Sequence, residues 1–346
     1  MAEGVSHYRP EGHDIIVIGA SAGGLQALQR LLSDLPADLP AAVFIVLHIG
    51  ASSHLAAVLG RTGVLPVLRA ESGHPIERGR VYVAVPGVHL LLHDDHILLR
   101  RGPRENLARP AIDPLFRSAA CAFGARVVGV VLSGSLNDGT AGLRAIKQCG
   151  GVAVVQDPAD AAVPEMPRSA QRYVDVDYTV PISALGDLLV RLAHEPAGDT
   201  PEIPDRIKLE TAIAAQELAG MAANDQLGSP SRFTCPECHG TLWEISDGSL
   251  LRYRCHVGHA LTGEAILAAH AKETEEMLWS LMRAHQERAE LARRMADQER
   301  SLHRSKLADQ MAQRAQEYDE DAEVVRRLLS GRGAAIVADD LGQEVA

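Results

Sequence analysis

The first half of the chain alternates between two kinds of hydrophobic run. Short, continuous apolar runs rich in β-branched residues occur at 15–18, 41–47, 81–86, 127–132 and 152–155. Such runs read as strands buried on both faces, the signature of a parallel sheet. Between them apolar positions fall at helical spacing, as in Leu25, Leu28, Leu31 and Leu32 after the first strand. Helices are predicted the same way at 55–59, 110–123 (with Asp113 and Pro114 near its start), 141–148, from 168, and at 182–193, with shorter strands at 64–68 and 178–180. Strand–helix alternation of this kind predicts an α/β fold, a doubly wound and mostly parallel sheet. Residues 88–99 alternate around Asp94-Asp95 and predict a β-hairpin. Residues 100–109 read as a polar, basic loop, and 156–167 as a second loop holding Glu165-Met166-Pro167.

The pattern then changes. A domain at 14–194 is followed at 195–228 by a Pro-rich linker and an amphipathic helix over 205–224. Residues 229–260 form a small aromatic-bearing module with clustered cysteines, expected to be zinc-ribbon-like. Residues 261–330 are rich in Ala, Glu, Arg and Leu, with Leu267, Ala271, Leu278, Leu281, Ala292 and Met295 near a heptad rhythm. This predicts a long helical region, a coiled coil or a hairpin broken near Ser301, and a frayed tail at 331–346.

Composition narrows the class. With 346 residues and 46% hydrophobic content the chain suits more than one folded unit. A net charge of -11 argues against a general nucleic-acid binder. No apolar run is long enough to span a bilayer, and the N-terminus lacks a signal peptide's apolar segment. Of five cysteines three fall in one cluster, which suits a reducing, cytoplasmic setting better than a disulfide framework.

The candidate chemistry sits where the apolar strands end. Gly19-Ala20-Ser21-Ala22-Gly23 matches the G-x-S-x-G nucleophile pattern at a strand-to-helix turn, where α/β sheets place ligands. Ser21 could instead merely cap the helix. A dinucleotide site fits poorly, because the glycines do not match G-x-G-x-x-G and no acidic residue follows at ribose distance. His48 ends the second strand, at His48-Ile49-Gly50, either as a base or as a structural histidine. Asp138 follows the 127–132 strand and precedes a helix. A serine needs an adjacent base, and the base an orienting carboxylate. The order Ser…His…Asp differs from that of the α/β-hydrolases.

The segments around these residues, with Pro110-Ala111-Ile112-Asp113-Pro114-Leu115-Phe116-Arg117-Ser118-Ala119 and Met166-Pro167-Arg168, resemble the catalytic domain of the chemotaxis protein-glutamate methylesterase (CheB) family. The resemblance covers about residues 14–193 and implies a doubly wound sheet with Ser21 as nucleophile, His48 as base and Asp138 as its orienting partner. It implies hydrolysis of glutamate γ-methyl esters on chemoreceptors, often with deamidation of receptor glutamines. No cofactor is implied for catalysis. Ala22, Ser135 and Met166 become candidate oxyanion or substrate residues. Ala22 replaces a common threonine and Ser135 a typical methionine, which bears on substrate more than on chemistry. Typical members carry an N-terminal receiver domain; here some fourteen residues precede the first strand, so phosphate control within the chain is not expected. The extension resembles stand-alone members associated with other sensory systems. Expected partners are a methylated chemoreceptor or related sensory protein, a sensory kinase or methyltransferase, and a second copy through the C-terminal helices; nucleic acid and membrane insertion are not expected.

Cys235-Pro236-Glu237-Cys238 has the knuckle spacing of structural zinc, and Cys255 with His259 supplies a second pair. His256 is a substitute ligand in awkward geometry, and a redox Cys-x-x-Cys pair lacks its usual βαβ surroundings. Trp243, Ile245, Leu251 and Tyr253 are expected in two short strands between the knuckles. His89, His93 and His96 match no ligand pattern and read as an exposed hairpin face. Two functional classes follow: a cytoplasmic serine carboxyl-ester hydrolase, or a signalling scaffold whose esterase-like domain no longer acts and whose ribbon and helices recruit a partner.

Overall fold

The computed structural model describes residues 12–48, 54–216 and 226–342, with side chains through Gly331. The expected strand end at Ile49-Gly50 and residues 217–224 of the helix expected over 205–224 lie outside the described residues, and within them that helix ends at Ala214.

In chain order the first unit runs β1 (Ile15–Ala20), α1 (Gly24–Asp34), β2 (Ala42–Leu47), α2 (Leu55–Leu59), β3 (Val67–Arg69) and β4 (Val81–Val83). A hairpin of β5 (His89–His93) and β6 (His96–Arg100) leads to α3 (Ile112–Phe123) and β7 (Val127–Val131). Then follow α4 (Thr140–Gln148), β8 (Val152–Gln156), α5 (Glu165–Tyr173), β9 (Tyr178–Val180), α6 (Ile182–His194) and α7 (Asp205–Ala214). Seven strands form one sheet in the order β3-β4-β2-β1-β7-β8-β9, with every neighbouring pair parallel.

The apolar runs are continuous because both faces are covered. Ile15 and Val17 point into a core shared with α3, while Ile16 and Ile18 point into a second core with α1 and α6. The chain winds outward in both directions from β1, so the ends of β1, β2 and β7 lie together, the switch point where such sheets carry ligands.

Two expectations fail in this unit. The helix expected from 168 begins at Glu165, so Met166 lies in its first turn, fully buried, rather than in a loop. His89 is buried, not exposed: Nε2 sits 2.8 Å from the Pro103 carbonyl and Nδ1 accepts the Ala111 N–H. His93 and His96 do face solvent. The 100–109 stretch is a loop as expected, but two of its polar residues, Glu105 and Asn106, are buried, for reasons given below.

The same compact unit continues through a four-stranded antiparallel sheet, β10 (Gly228–Thr234), β11 (Thr241–Ile245), β12 (Arg252–Cys255) and β13 (Ala260–Thr262). The two strands expected between the knuckles are β11 and β12, flanked by β10 and β13; Trp243, Ile245 and Tyr253 lie in them and are buried, but Leu251 precedes β12 and is exposed.

From Leu267 a second compact unit is purely helical, formed by α8 (Gly263–Ser301, whose first turn belongs to the first unit) and α9 (Ser305–Gly342). The cation–π contact of Arg288 on Tyr318 and the His285–Asp321 pair set the two helices antiparallel. The helix continues through 331–342, where a tail was expected. Its seam also differs. Of the expected positions Ala292 is buried, alongside Ala289, Ala296, Ala308, Ala315 and Ala322, whereas the expected Leu267, Leu281 and Met295 are 72%, 46% and 44% exposed. Small side chains allow close helix approach, and the alanine stripe, not the leucines, does the packing.

Candidate active site

The β1–α1 turn is shaped by backbone first. Gly23 takes φ 72, a left-handed conformation, and itself precedes the first residue of α1. Ser21 therefore does not cap the helix; its N–H donates to the Ser133 carbonyl (2.9 Å), tying the serine to the chain leaving β7. The register pairs Ala20 with Leu47, so His48 emerges beside Ser21, and the His48 N–H donates to the Ala20 carbonyl (3.0 Å). The serine and imidazole thus leave adjacent strands side by side, both half-buried.

Asp138 lies seven residues past β7 and is 3% exposed. His48 Nε2 is 3.0 Å from Asp138 Oδ2. The remaining lone pairs are occupied: Oδ2 accepts the Ile112 N–H (2.6 Å), and Oδ1 accepts the N–H of Asp113 (3.2 Å) and Gly139 (3.0 Å) and the Asn106 amide (3.0 Å). Burial alone would push this carboxyl up, but His48 and these donors hold it below its ordinary value. Its position at the N-terminus of α3 adds the favourable end of that helix's dipole. The ionised carboxylate lies 3.0 Å from Nε2, off the line of a hydrogen bond; a proton held on Nε2 by that charge leaves Nδ1 as the basic nitrogen.

Several supporting residues escaped sequence reading. Ser133 Oγ donates to the Ala22 carbonyl (2.7 Å) and accepts the Val163 N–H (2.9 Å), stapling the serine turn to the loop before α5. A Cβ placed on Gly134 would lie 2.7 Å from the Ser21 Cβ and 2.1 Å from Met166 Sδ. The glycine is a spacing requirement, and Met166 forms the floor beneath the serine. Ala22 and Ser135 are exposed on either side of it. Asp113, whose carboxyl accepts the Gly139 and Gly142 N–H groups, sits against Asp138; burial first, then that neighbouring charge, push it up to about 7.

The cysteine module carries the second cluster. One ligand atom from each of Cys235, Cys238, Cys255 and His259 lies within 4.8 Å of the others. Cys238–Cys255 Sγ atoms are 3.6 Å apart, and His259 Nδ1 is 3.5 Å from Cys255 Sγ and 3.7 Å from Cys235 Sγ. Tetrahedral zinc, with its usual bond lengths, needs ligand edges of roughly 3.5–3.8 Å, so these residues could hold such an ion. His256 is outside the cluster and packs over Gly240.

The module is docked by buried charge. Arg254 contacts Glu105 (3.2 Å) and Glu210 (2.9 Å), Arg252 contacts Glu210 and Asp247, and Arg117 contacts Glu105 (2.6 Å). Although burial opposes ionisation, Arg117 and Arg254 hold Glu105 below its ordinary value, and Arg252 and its neighbours hold Glu210 well below. This is why the 100–109 loop is buried.

A serine, an imidazole and a buried carboxylate at the switch point of a doubly wound sheet place the chain among the α/β carboxyl-ester hydrolases. Within that class it belongs to the CheB methylesterase family, whose model matches residues 16–189. A putative protein-glutamate methylesterase/protein-glutamine glutaminase of Leptospira interrogans is 40% identical over 183 residues, spanning 52% of this chain and 95% of the relative. Protein-glutamate methylesterase/protein-glutamine glutaminase 2 of Anaeromyxobacter dehalogenans is 41% identical over 183 residues, 52% of this chain but 54% of that protein. The crystal structure of the Thermotoga maritima CheB methylesterase catalytic domain superposes with a TM-score of 0.50 at 31% identity, covering 52% of this chain and 98% of that one. Among the described residues no helix is long and apolar enough to cross a membrane.

Proposed function

We propose that this protein is a protein-glutamate methylesterase that hydrolyses glutamate γ-methyl esters on a chemoreceptor or related sensory protein of the cytoplasm. The observation that carries the reading is the buried, ionised Asp138 at 3.0 Å from His48 Nε2, on the strand adjoining Ser21, in a chain of this family. Ser21 Oγ attacks the ester carbonyl while His48 Nδ1 takes its proton. The tetrahedral adduct collapses, His48 returns the proton to the departing methoxide, and methanol leaves a glutamyl ester on Ser21. Water then attacks that ester, again deprotonated by His48, and releases glutamate. Asp138 keeps Nε2 protonated and stabilises the imidazolium that forms in each half. The same steps on a glutamine amide release ammonia instead of methanol.

The Cys235, Cys238, Cys255 and His259 set fits a structural zinc. Four protein ligands leave no open position, so the ion's contribution is folding energy for the module, and no step of the reaction runs through it. Mass spectrometry of methylated receptor incubated with the protein tests the activity: loss of methyl groups, with methanol in equal amount, is expected, and unchanged receptor would overturn it.

A further inference from the structure

The catalytic acid and the cysteine module are joined by a short, fully bonded bridge. The Asn106 side-chain amide donates from Nδ2 both to Asp138 Oδ1 (3.0 Å) and to Asp113 Oδ2 (2.9 Å). Its other end, Oδ1, accepts the Thr262 N–H of β13 (3.1 Å), and its backbone N–H donates to the Ala260 carbonyl of the same strand (2.8 Å). Thr262 Oγ1 in turn donates to Oδ1 of Asn137 (2.7 Å), the residue before the catalytic acid, and Asn137 Nδ2 donates to Glu264 (2.8 Å). Asn106, Asn137 and Thr262 are all buried.

A carboxamide has a donor end and an acceptor end. Reversed, Asn106 would set its oxygen against two carboxylates, leaving Asp138 without one donor and facing a like partial charge. What holds it the right way round is the Thr262 N–H, which accepts nothing and so admits only the oxygen. Thr262 is placed by the β12–β13 pairing, Arg252 opposite Thr262 and Arg254 opposite Ala260. The turn of that hairpin contains Cys255 and His259, closed by the Cys255 N–H on the His259 carbonyl (2.9 Å). One hairpin therefore has two members of the Cys/His cluster, Cys255 and His259, at its turn and the catalytic acid's support on its outer strand.

We infer that β13 is a positioning strap for the triad: Thr262, through Asn106 and Asn137, fixes the orientation in which Asp138 meets His48, so that the integrity of the cysteine module sets the reactivity of Ser21. This rests on the reading of Asp138 as the orienting acid. Asn106 and Thr262 are positioning residues and touch no substrate.

The test uses the full-length protein with two readouts: rate of labelling by a fluorophosphonate probe, and hydrogen exchange of the Ile112 and Gly139 amides that Asp138 accepts. Asn106→Ala should slow labelling on the order of 100-fold, the effect of an ångström-scale misplacement, and speed exchange at both amides. The groups facing Asp138 are His48, Asn106 and Asp113, the last also under the charges of Arg117 and Arg252. Losing the donor shared by the two carboxylates should therefore move the acid limb of the labelling profile to higher pH. Thr262→Val keeps the backbone N–H on Asn106 but loses the hydroxyl bond to Asn137, so it should act in the same direction by a smaller factor, and Thr262→Ser, which keeps the hydroxyl, should restore the wild-type rate. Cys238→Ser should loosen Ile112 and Gly139 together with β12. Wild-type labelling and exchange in Asn106→Ala, or a Cys238→Ser variant in which β12 loosens while Ile112 and Gly139 do not, would overturn the inference. If the wild type were not labelled at all the hydrolase reading would fail, and the exchange data would still decide the strap.

Discussion

Gly134→Ala tests the floor of the site. The new methyl would stand 2.7 Å from Ser21 Cβ and 2.1 Å from Met166 Sδ, where ordinary contacts begin near 3.4 Å. Met166 is flexible at its far end and can swing aside. Ser21 cannot: its N–H is fixed to the Ser133 carbonyl at 2.9 Å, and the Ser133 hydroxyl holds Ala22. Relief of the overlap, 0.7 Å against Ser21, must come from moving the serine relative to His48. Overpacking of this size costs about 1–3 kcal/mol of stability, which a domain of this size survives. A displacement approaching an ångström at the nucleophile should cost roughly 100-fold in rate. Fluorophosphonate labelling alongside a urea titration separates the two effects. Adding Met166→Ala should recover stability but little rate, because the Ser21 overlap remains. Labelling of Gly134→Ala within a factor of about three of wild type would refute the spacing argument.

Three further outcomes are expected. Elemental analysis should find one zinc per chain, lost in Cys238→Ser; metal-free, folded protein would count against the assignment. Glu210→Ala leaves the buried Arg252 with Asp247 alone and the buried Arg254 with Glu105 alone, so the network keeps one uncompensated positive charge, which should cost on the order of 3 kcal/mol in a denaturant titration; a loss below about 1 kcal/mol would mean that the network is dispensable. Asp113, raised from 3.8 to about 7, binds its proton more tightly folded than unfolded, so its contribution to stability is complete below about 4 and is lost as pH rises through about 7. Urea midpoints across that window should fall in the wild type, and Asp113→Asn should remove this component; identical slopes in the two proteins would argue against it.

The sheet was legible because burial on both faces leaves each strand as an unbroken apolar run, and Ser21 because the hydrophobic period changes at its turn. His48 and Asp138 could be placed at strand ends, but their meeting rests on the order β2-β1-β7, which no local pattern encodes. What stayed hidden depends on distant partners. The 100–109 stretch read only as a polar, basic loop because the buried network around Glu105 includes Arg254, 149 residues away. Asn106 and Thr262 carry no motif, and Gly134 shows its necessity only against Ser21 and Met166. The helical seam was only partly legible, because Ala292 packs as expected while the larger Leu267, Leu281 and Met295 lie exposed and further alanines fill the seam.

The central claim is that Ser21, activated by His48 and Asp138, cleaves a glutamate methyl ester. The most direct measurement is methanol release from a methylated chemoreceptor of the same organism by wild-type protein and by Ser21→Ala. The account predicts release by the wild type with matching loss of receptor methyl groups, and release near background from Ser21→Ala in folded, zinc-loaded protein. Wild-type release from Ser21→Ala would contradict the nucleophile assignment, and none from the wild type would contradict the hydrolase reading itself.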